Sequence, residues 1–284
     1  MFDRADVIYT YDGTFEGILC CIFESFAKKE LPQDVVTEDT PQLSFTPTRF
    51  IRTDEQKAAR VAASLPKRIS PDAAELIRLC YFTCLEGKEL AMLEFVHKGF
   101  EHGRDMMDRL TDDTLYTINK AVKHLGNESH LLKGFIRFSV YQNILVTVIH
   151  PKNFVLPLIR DHFCDRYCNE SFLIYDETHG MGLVYRPYES RIVPIEDLAL
   201  DTPDEEEEKY RALWKHYYDT VAIQGRYNPK CRMSHMPKRY WDYMTEFGAP
   251  GVTKRQRKNQ QNRDEPSVPP LRETDAVIPP PAAR

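Results

Sequence analysis

Apolar positions along this chain repeat first with a helical period and later with a strand period, and the change divides the sequence. "VIYTYDG" (Val7 to Gly13) alternates apolar and polar residues and breaks at Asp-Gly, which predicts a short strand leaving into a turn. Phe15, Ile18, Leu19, Ile22, Phe23 and Phe26 then fall at offsets 0, 3, 4, 7, 8 and 11. That is one helical stripe, with Asp12 or Thr14 as its cap. Gly13 and Gly17 flank the start of this helix. A strand, a glycine turn and a helix N-terminus can cradle a phosphate, but the spacing matches neither the dinucleotide nor the P-loop fingerprint.

Residues 31–50, rich in Pro, Thr and Asp, read as an exposed connector. Helical periodicity then runs from about Asp54 to Leu125. Within it Ser70 caps and Pro71 opens "SPDAAELIRLCYFTCLEG", and Gly87 closes it. "ELAMLEFVHKGFEHG" and "DTLYTINKAVKHLG" add helices, the second ending at Gly126.

After Lys133 the period drops to two. "GFIRFSVY" and "ILVTVIHP" predict a hairpin about Gln142-Asn143, and "SFLIYDE" and "MGLVYRPY" predict another about Thr178-His179-Gly180. Between the hairpins lies a helix from about Phe154 to Cys168, with Pro157 in its first turn. The expected fold class is α+β: a helical N-terminal half, a mainly antiparallel ββαββ sheet unit, and C-terminal helices.

"TPDEEEEKYRALWKHYYDTVAIQG" is the clearest helix, with Thr202 as cap, Pro203 first and Glu205 completing a capping box. Tyr210, Leu213, Trp214, Tyr217 and Val221 share one face. The acidic run suits the positive end of the helix dipole and needs no ligand to explain it. A last helix from about Met236 would put Tyr240, Tyr243, Met244 and Phe247 on a packing stripe, with Trp241 at its margin. Residues 1–248 are thus expected to form a single domain, helical over residues 1–126 and sheet-containing over residues 127–248. Residues 249–284 read as a flexible, basic, proline-rich tail.

With 42% hydrophobic and 11% aromatic residues, the 284-residue chain has the means to bury a core. No apolar run is long enough for a membrane span and no secretory signal is visible, so a cytoplasmic protein without membrane contact is expected. Seven cysteines, with Cys20 and Cys21 adjacent, make a poor disulfide framework. Cys80/Cys84 and Cys164/Cys168 have C-x3-C spacing. On a helix this would put each pair of sulfurs on one face, as a metal site or as small buried residues, and the surrounding rings favour burial. No metal and no cofactor are predicted.

No self-contained catalytic motif is present. "ESHLLKGFIRF" places Glu128 and His130, with Lys133 and Arg137, at a helix-to-strand junction, where His130 could act as acid or base and Glu128 could orient it. From Gly225 to Arg263, ten Lys or Arg stand against two acids on a chain whose net charge is −5. Cations hold phosphates and exposed rings stack on bases, which makes Arg226, Tyr227, Lys230, Arg232, Lys238, Arg239 and Trp241 the candidate nucleic-acid contacts.

"YDGTFEGILCCIFES", "ESHLLKGFIRF", "HFCDRY…FLIYD", "LWKHYYDTVAIQGRYNP" and "MPKRYWDYMTE", in that order, resemble a bacterial family of DNA metabolism or repair proteins of largely uncharacterised function. The resemblance runs from about Val7 to Phe247. It departs at Leu131, where the family often has a basic residue. It implies a stand-alone form of a domain encoded beside a radical-SAM DNA modification or repair protein, and elsewhere fused to a uracil-DNA-glycosylase-like domain. The implied role is a DNA-binding accessory with a radical-SAM partner. The alternatives are a nucleotide- or base-acting enzyme using Glu128 and His130, or a module that docks on the radical-SAM partner. The cluster-binding C-x3-C-x2-C spacing is absent from this chain, which therefore should not carry that cluster itself.

Overall fold

The structure, a computed structural model, describes residues 3–38, 40, 45–196, 198 and 205–247. The expected tail at 249–284 and the Thr202-Pro203 cap lie outside the described residues. The chain divides into two compact units, Met1–Glu207 and Glu208–Arg284. Among the described residues it is an α+β protein with eight α-helices and mixed sheets.

The first unit begins with β1 (Asp3–Arg4), β2 (Ile8–Tyr11), α1 (Phe15–Lys28), β3 (Glu30–Leu31), β4 (Asp34–Thr37) and β5 (Thr48–Phe50). The central strand β2 pairs in parallel with both β4 and β5, while β1 pairs in parallel with β3. Tyr9 and Tyr11 of β2 are buried, and the predicted stripe of α1 packs against them through Ile18 and Ile22. Four helices complete this layer: α2 (Glu55–Arg68), α3 (Pro71–Tyr81), α4 (Lys88–His102) and α5 (Asp113–Phe135). Ala73, Ile77 and Cys80 of α3, Leu93 and Val96 of α4, and Leu115 and Ile118 of α5 join one continuous apolar cluster.

The second layer holds β6 (Ser139–Tyr141), β7 (Ile144–Ile149), α6 (Leu156–Arg166), β8 (Phe172–Asp176), β9 (Met181–Arg186) and β10 (Glu189–Pro194), in sheet order β10-β9-β8-β7-β6. Gln142 and Asn143 both have positive φ (48° and 64°), the conformation of a tight primed turn, so β6 and β7 fold back on each other. α6 carries the chain from the end of β7 to the start of β8, which makes that pairing parallel. The inner rings of Phe138, Phe163 and Phe172 meet under α6.

The expectation of a mainly antiparallel sheet is corrected here. Four of the seven strand pairings among the described residues are parallel. β4 and β5 lie in the stretch read as connector, because each is only three or four residues long and takes its pairing from β2 rather than from its own pattern. The ββαββ count also changes, since the chain turns once more at Tyr188 (φ 69°) to add β10. Gly126 does not end its helix. α5 continues to Phe135, and a Cβ at Gly126 would meet nothing within 4 Å.

The second unit opens within α7 (Glu205–Val221) and continues through a 3-10 turn (Gln224–Arg226), α8 (Pro229–His235) and a 3-10 segment (Lys238–Tyr243). The helix expected from Met236 is replaced by that segment. Pro237 forces the preceding residue out of the α region, and Met236 sits at φ −129°, ψ 79°. No helix of the described residues is long and apolar enough to cross a membrane.

Candidate nucleic-acid interface

α8 is set by its first residues. The Asn228 side chain accepts from Cys231 N at 3.0 Å and Pro229 occupies the first turn, where its missing N–H costs nothing. This start turns Lys230 outward and Arg232 inward. The Arg232 guanidinium lies 5.4 Å from the Tyr227 ring and 5.1 Å from the rings of both Trp241 and Phe247. Its Nε is buried and has no hydrogen-bond partner among the described residues, so ring faces supply its stabilisation. Trp241 stacks on Phe247 at 4.7 Å and donates its indole N–H to Met236 O at 2.8 Å.

Four of the seven predicted contacts therefore meet: Arg232, Tyr227, Trp241 and, 5.9 Å over the indole, Lys238. Phe247, read as a packing residue, completes this cage. Arg239 lies over the Tyr240 ring at 4.7 Å and donates to its hydroxyl. Arg226 and Lys230 stand apart from the cage, both exposed. Arg226, Lys230 and Lys238 form no ion pair among the described residues, so their charges face solvent. Tyr227 is 69% exposed and offers ring surface beyond the area Arg232 covers. Tyr240 and Met244 are buried, while the Tyr243 side chain lies outside the described residues. The apolar stripe of α7 is open: Tyr210, Leu213, Tyr217 and Val221 are each more than half exposed.

The cage and its cations fall within residues 86–246, which match a family model described as a domain of unknown function, DUF4130, except for Phe247 one residue beyond. The match covers more than half of the chain. The chain belongs to the DUF4130 family. Its DUF4130 region starts at the beginning of α4 and takes in α5, the five-stranded sheet and the second unit up to Glu246, leaving β1 through α3 outside. No curated protein matches the sequence.

Glu128 and His130 also lie in the DUF4130 region, but not as a pair. Both are on α5, two residues apart, a spacing that points side chains to different faces. Glu128 is buried and its carboxylate accepts from Lys152 N (3.1 Å), Asn153 N (2.9 Å) and Asn153 Nδ2 (2.6 Å). His130 is exposed. The carboxylate is thus committed to the loop after β7 and does not orient the imidazole.

The other sequence candidates resolve locally. At the start of α1, Asp12 accepts from the Thr14 backbone and hydroxyl (3.0 and 2.7 Å) and from the Thr53 hydroxyl (2.7 Å). Burial raises its pKa, but these hydrogen bonds outweigh that and hold it below the ordinary carboxylate value. A carboxylate therefore occupies the position a cradled phosphate would need. Cys84 lies beyond the end of α3 and Cys168 beyond the end of α6, so neither C-x3-C pair shares a helix face. Cys80 is buried, which pushes its thiol pKa up to about 12.

Proposed function

We propose that this protein binds DNA through its second unit and acts as an accessory to a radical-SAM partner in DNA repair or modification. The observation that carries the DNA reading is the cage. It fixes Arg232, Trp241 and Tyr227 in place with Lys238 over the indole, while the exposed Arg226 and Lys230 of the same unit add charge that forms no ion pair among the described residues. Rings beside cations suit a strand with accessible bases better than a closed duplex, because stacking needs an exposed base face. The partner rests on the ordered blocks that resemble the DNA metabolism family.

The test is binding of the full chain to labelled single-stranded and duplex DNA across a salt series. Replacing Lys230, Lys238 and Arg226 by alanine should weaken single-strand binding and lower the log–log salt slope by about 2, from about 0.7 per lost phosphate contact. A slope unchanged in this triple variant sinks the assignment. A second reading, a module that docks on a protein partner, is favoured by the open apolar stripe of α7. Co-purification with the radical-SAM partner that survives nuclease, and is lost in Leu213→Asp, would support docking rather than shared DNA.

A further inference from the structure

A cleft of about 1020 Å³ opens in the first unit between α1, α2 and α4. Its rings come from two helices. Phe26 of α1 stacks face to face with His97 of α4, 4.0 Å apart and 8° from parallel, and Phe100 lies 5.0 Å from Phe26. The His97 Nε2 lies 2.7 Å from Ser25 Oγ. That hydroxyl donates to Glu30 O, so the imidazole N–H is the donor between them. Burial pushes the His97 pKa down to about 4, and the stacked platform carries no charge of its own at neutral pH.

Charge is supplied from the rim. α2 presents Arg60 over the Phe23 ring at 5.3 Å and Arg68 over the Phe100 ring at 5.4 Å. Both are exposed, and neither forms an ion pair among the described residues. The remaining lining charges are largely spent. Arg4 is paired with Glu94 at 3.3 Å, and Lys98 with Asp112 at 2.7 Å, which leaves Glu101 as the one lining carboxylate outside an ion pair among the described residues. The two arginines are eight helical positions apart, about 12 Å along the axis. That span exceeds one phosphate and has rings between its ends.

We propose that this cleft binds a phosphate-bearing nucleobase ligand, either an unpaired stretch of strand of roughly two nucleotides or a free nucleotide carrying the same groups. Bases lie against the Phe26–His97–Phe100 platform and phosphates against Arg60 and Arg68. The guanidiniums, already held over ring faces, need little further ordering to meet them. The proposal goes beyond the second-unit reading, shares no residue with it, and does not depend on it.

The experiment uses the full chain and a short fluorescein-labelled oligothymidylate containing 5-iodouracil, with binding read by anisotropy and photo-crosslinks mapped by mass spectrometry. Crosslinks are expected in peptides holding Phe23, Phe26 or Phe100. Arg60→Ala/Arg68→Ala should raise Kd at least about tenfold and lower the salt slope by about 1.4, from about 0.7 per contact. Thymidine triphosphate that displaces the oligonucleotide and protects these peptides assigns the site to free nucleotide. Failure to displace assigns it to strand. Crosslinks confined to residues after Glu208, with Kd unchanged in the arginine variant, overturn the cleft while leaving the proposed function standing. Crosslinks confined to the cleft, with the second-unit triple variant binding normally, do the reverse. Should the arginine variant lose its fold by circular dichroism, the crosslink map of the unaltered protein decides the matter.

Discussion

Replacing Glu128 by alanine strips the acceptor from three N–H groups at once: Lys152 N, Asn153 N and Asn153 Nδ2. Glu128 and Asn153 are each 1% exposed, so water does not readily substitute. Hydrogen bonds to a charged acceptor contribute about 1.5–3 kcal/mol each, but the three share one carboxylate whose own burial is costly, and they do not add. A net loss of about 3 kcal/mol is the reasonable figure. For a folding unit of this size that lowers Tm by about 6–12 °C. Glu128→Gln keeps the shape but turns an N–H2 toward a donor, so about half the loss is expected. Thermal and urea unfolding of the full chain followed by circular dichroism measures both. If Glu128→Ala melts within a degree of the unaltered protein, the network does not hold the loop and the structural reading fails. If DNA binding at low temperature falls while the midpoint stays put, Glu128 belongs to function after all.

Gly17→Ala tests the start of α1. A Cβ there would lie 2.3 Å from Asp12 Oδ1 and 2.8 Å from Tyr11 Cδ2. In an ordinary helix the change would stabilise by about 1 kcal/mol; here we expect a loss of about 1–3 kcal/mol, and a urea midpoint at or above that of the unaltered protein counts against the packing. His97 adds a pH dependence. Its pKa in the folded chain, about 4, lies below the ordinary 6.5, so its contribution is complete above pH 6.5 and is lost as pH falls toward 4. Discounted for partial exposure, that is about 1–2 kcal/mol. The difference in stability between unaltered protein and His97→Gln should shift by this amount between pH 7 and pH 4, and a flat difference refutes it.

Long helices with clean periodicity are legible in the sequence: α1 starts at the expected Thr14 cap, α3 at the expected Ser70 cap with Pro71 first, and Pro157 falls in the first turn of α6, although α3 ends at Tyr81, short of Gly87. The parallel strands β4 and β5 are not, because strands so short have no period to read and depend on a partner far along the chain. The apolar pattern ends α5 early because its inward face carries Glu128 and Ser129 where an apolar residue would continue the stripe. At the candidate interface the residue types are visible and their grouping is not. Nothing local in "PKCRMSHMPKRYWDYMTEF" says that Arg232 meets Phe247. The cleft is hidden for a similar reason. Arg60 and Arg68 look like ordinary surface charges until the rings of α1 and α4 are placed beneath them.

Asn153 accepts from Cys84 N through its Oδ1 (3.0 Å) while its amide reaches Glu128, and the adjacent Phe154 N donates to Phe82 O at 2.9 Å. Three stretches of chain, around residues 83, 128 and 153, are thereby stitched at one point. A gene fragment trimmed to residues 86–246 would discard the Phe82 and Cys84 ends of that stitch together with β1 through α3, which supply much of the apolar cluster that α4 and α5 cover. The residues that match the DUF4130 model are therefore fewer than those that build this core. Laboratory dissection of this protein should keep the first unit whole and place any cut near Glu207.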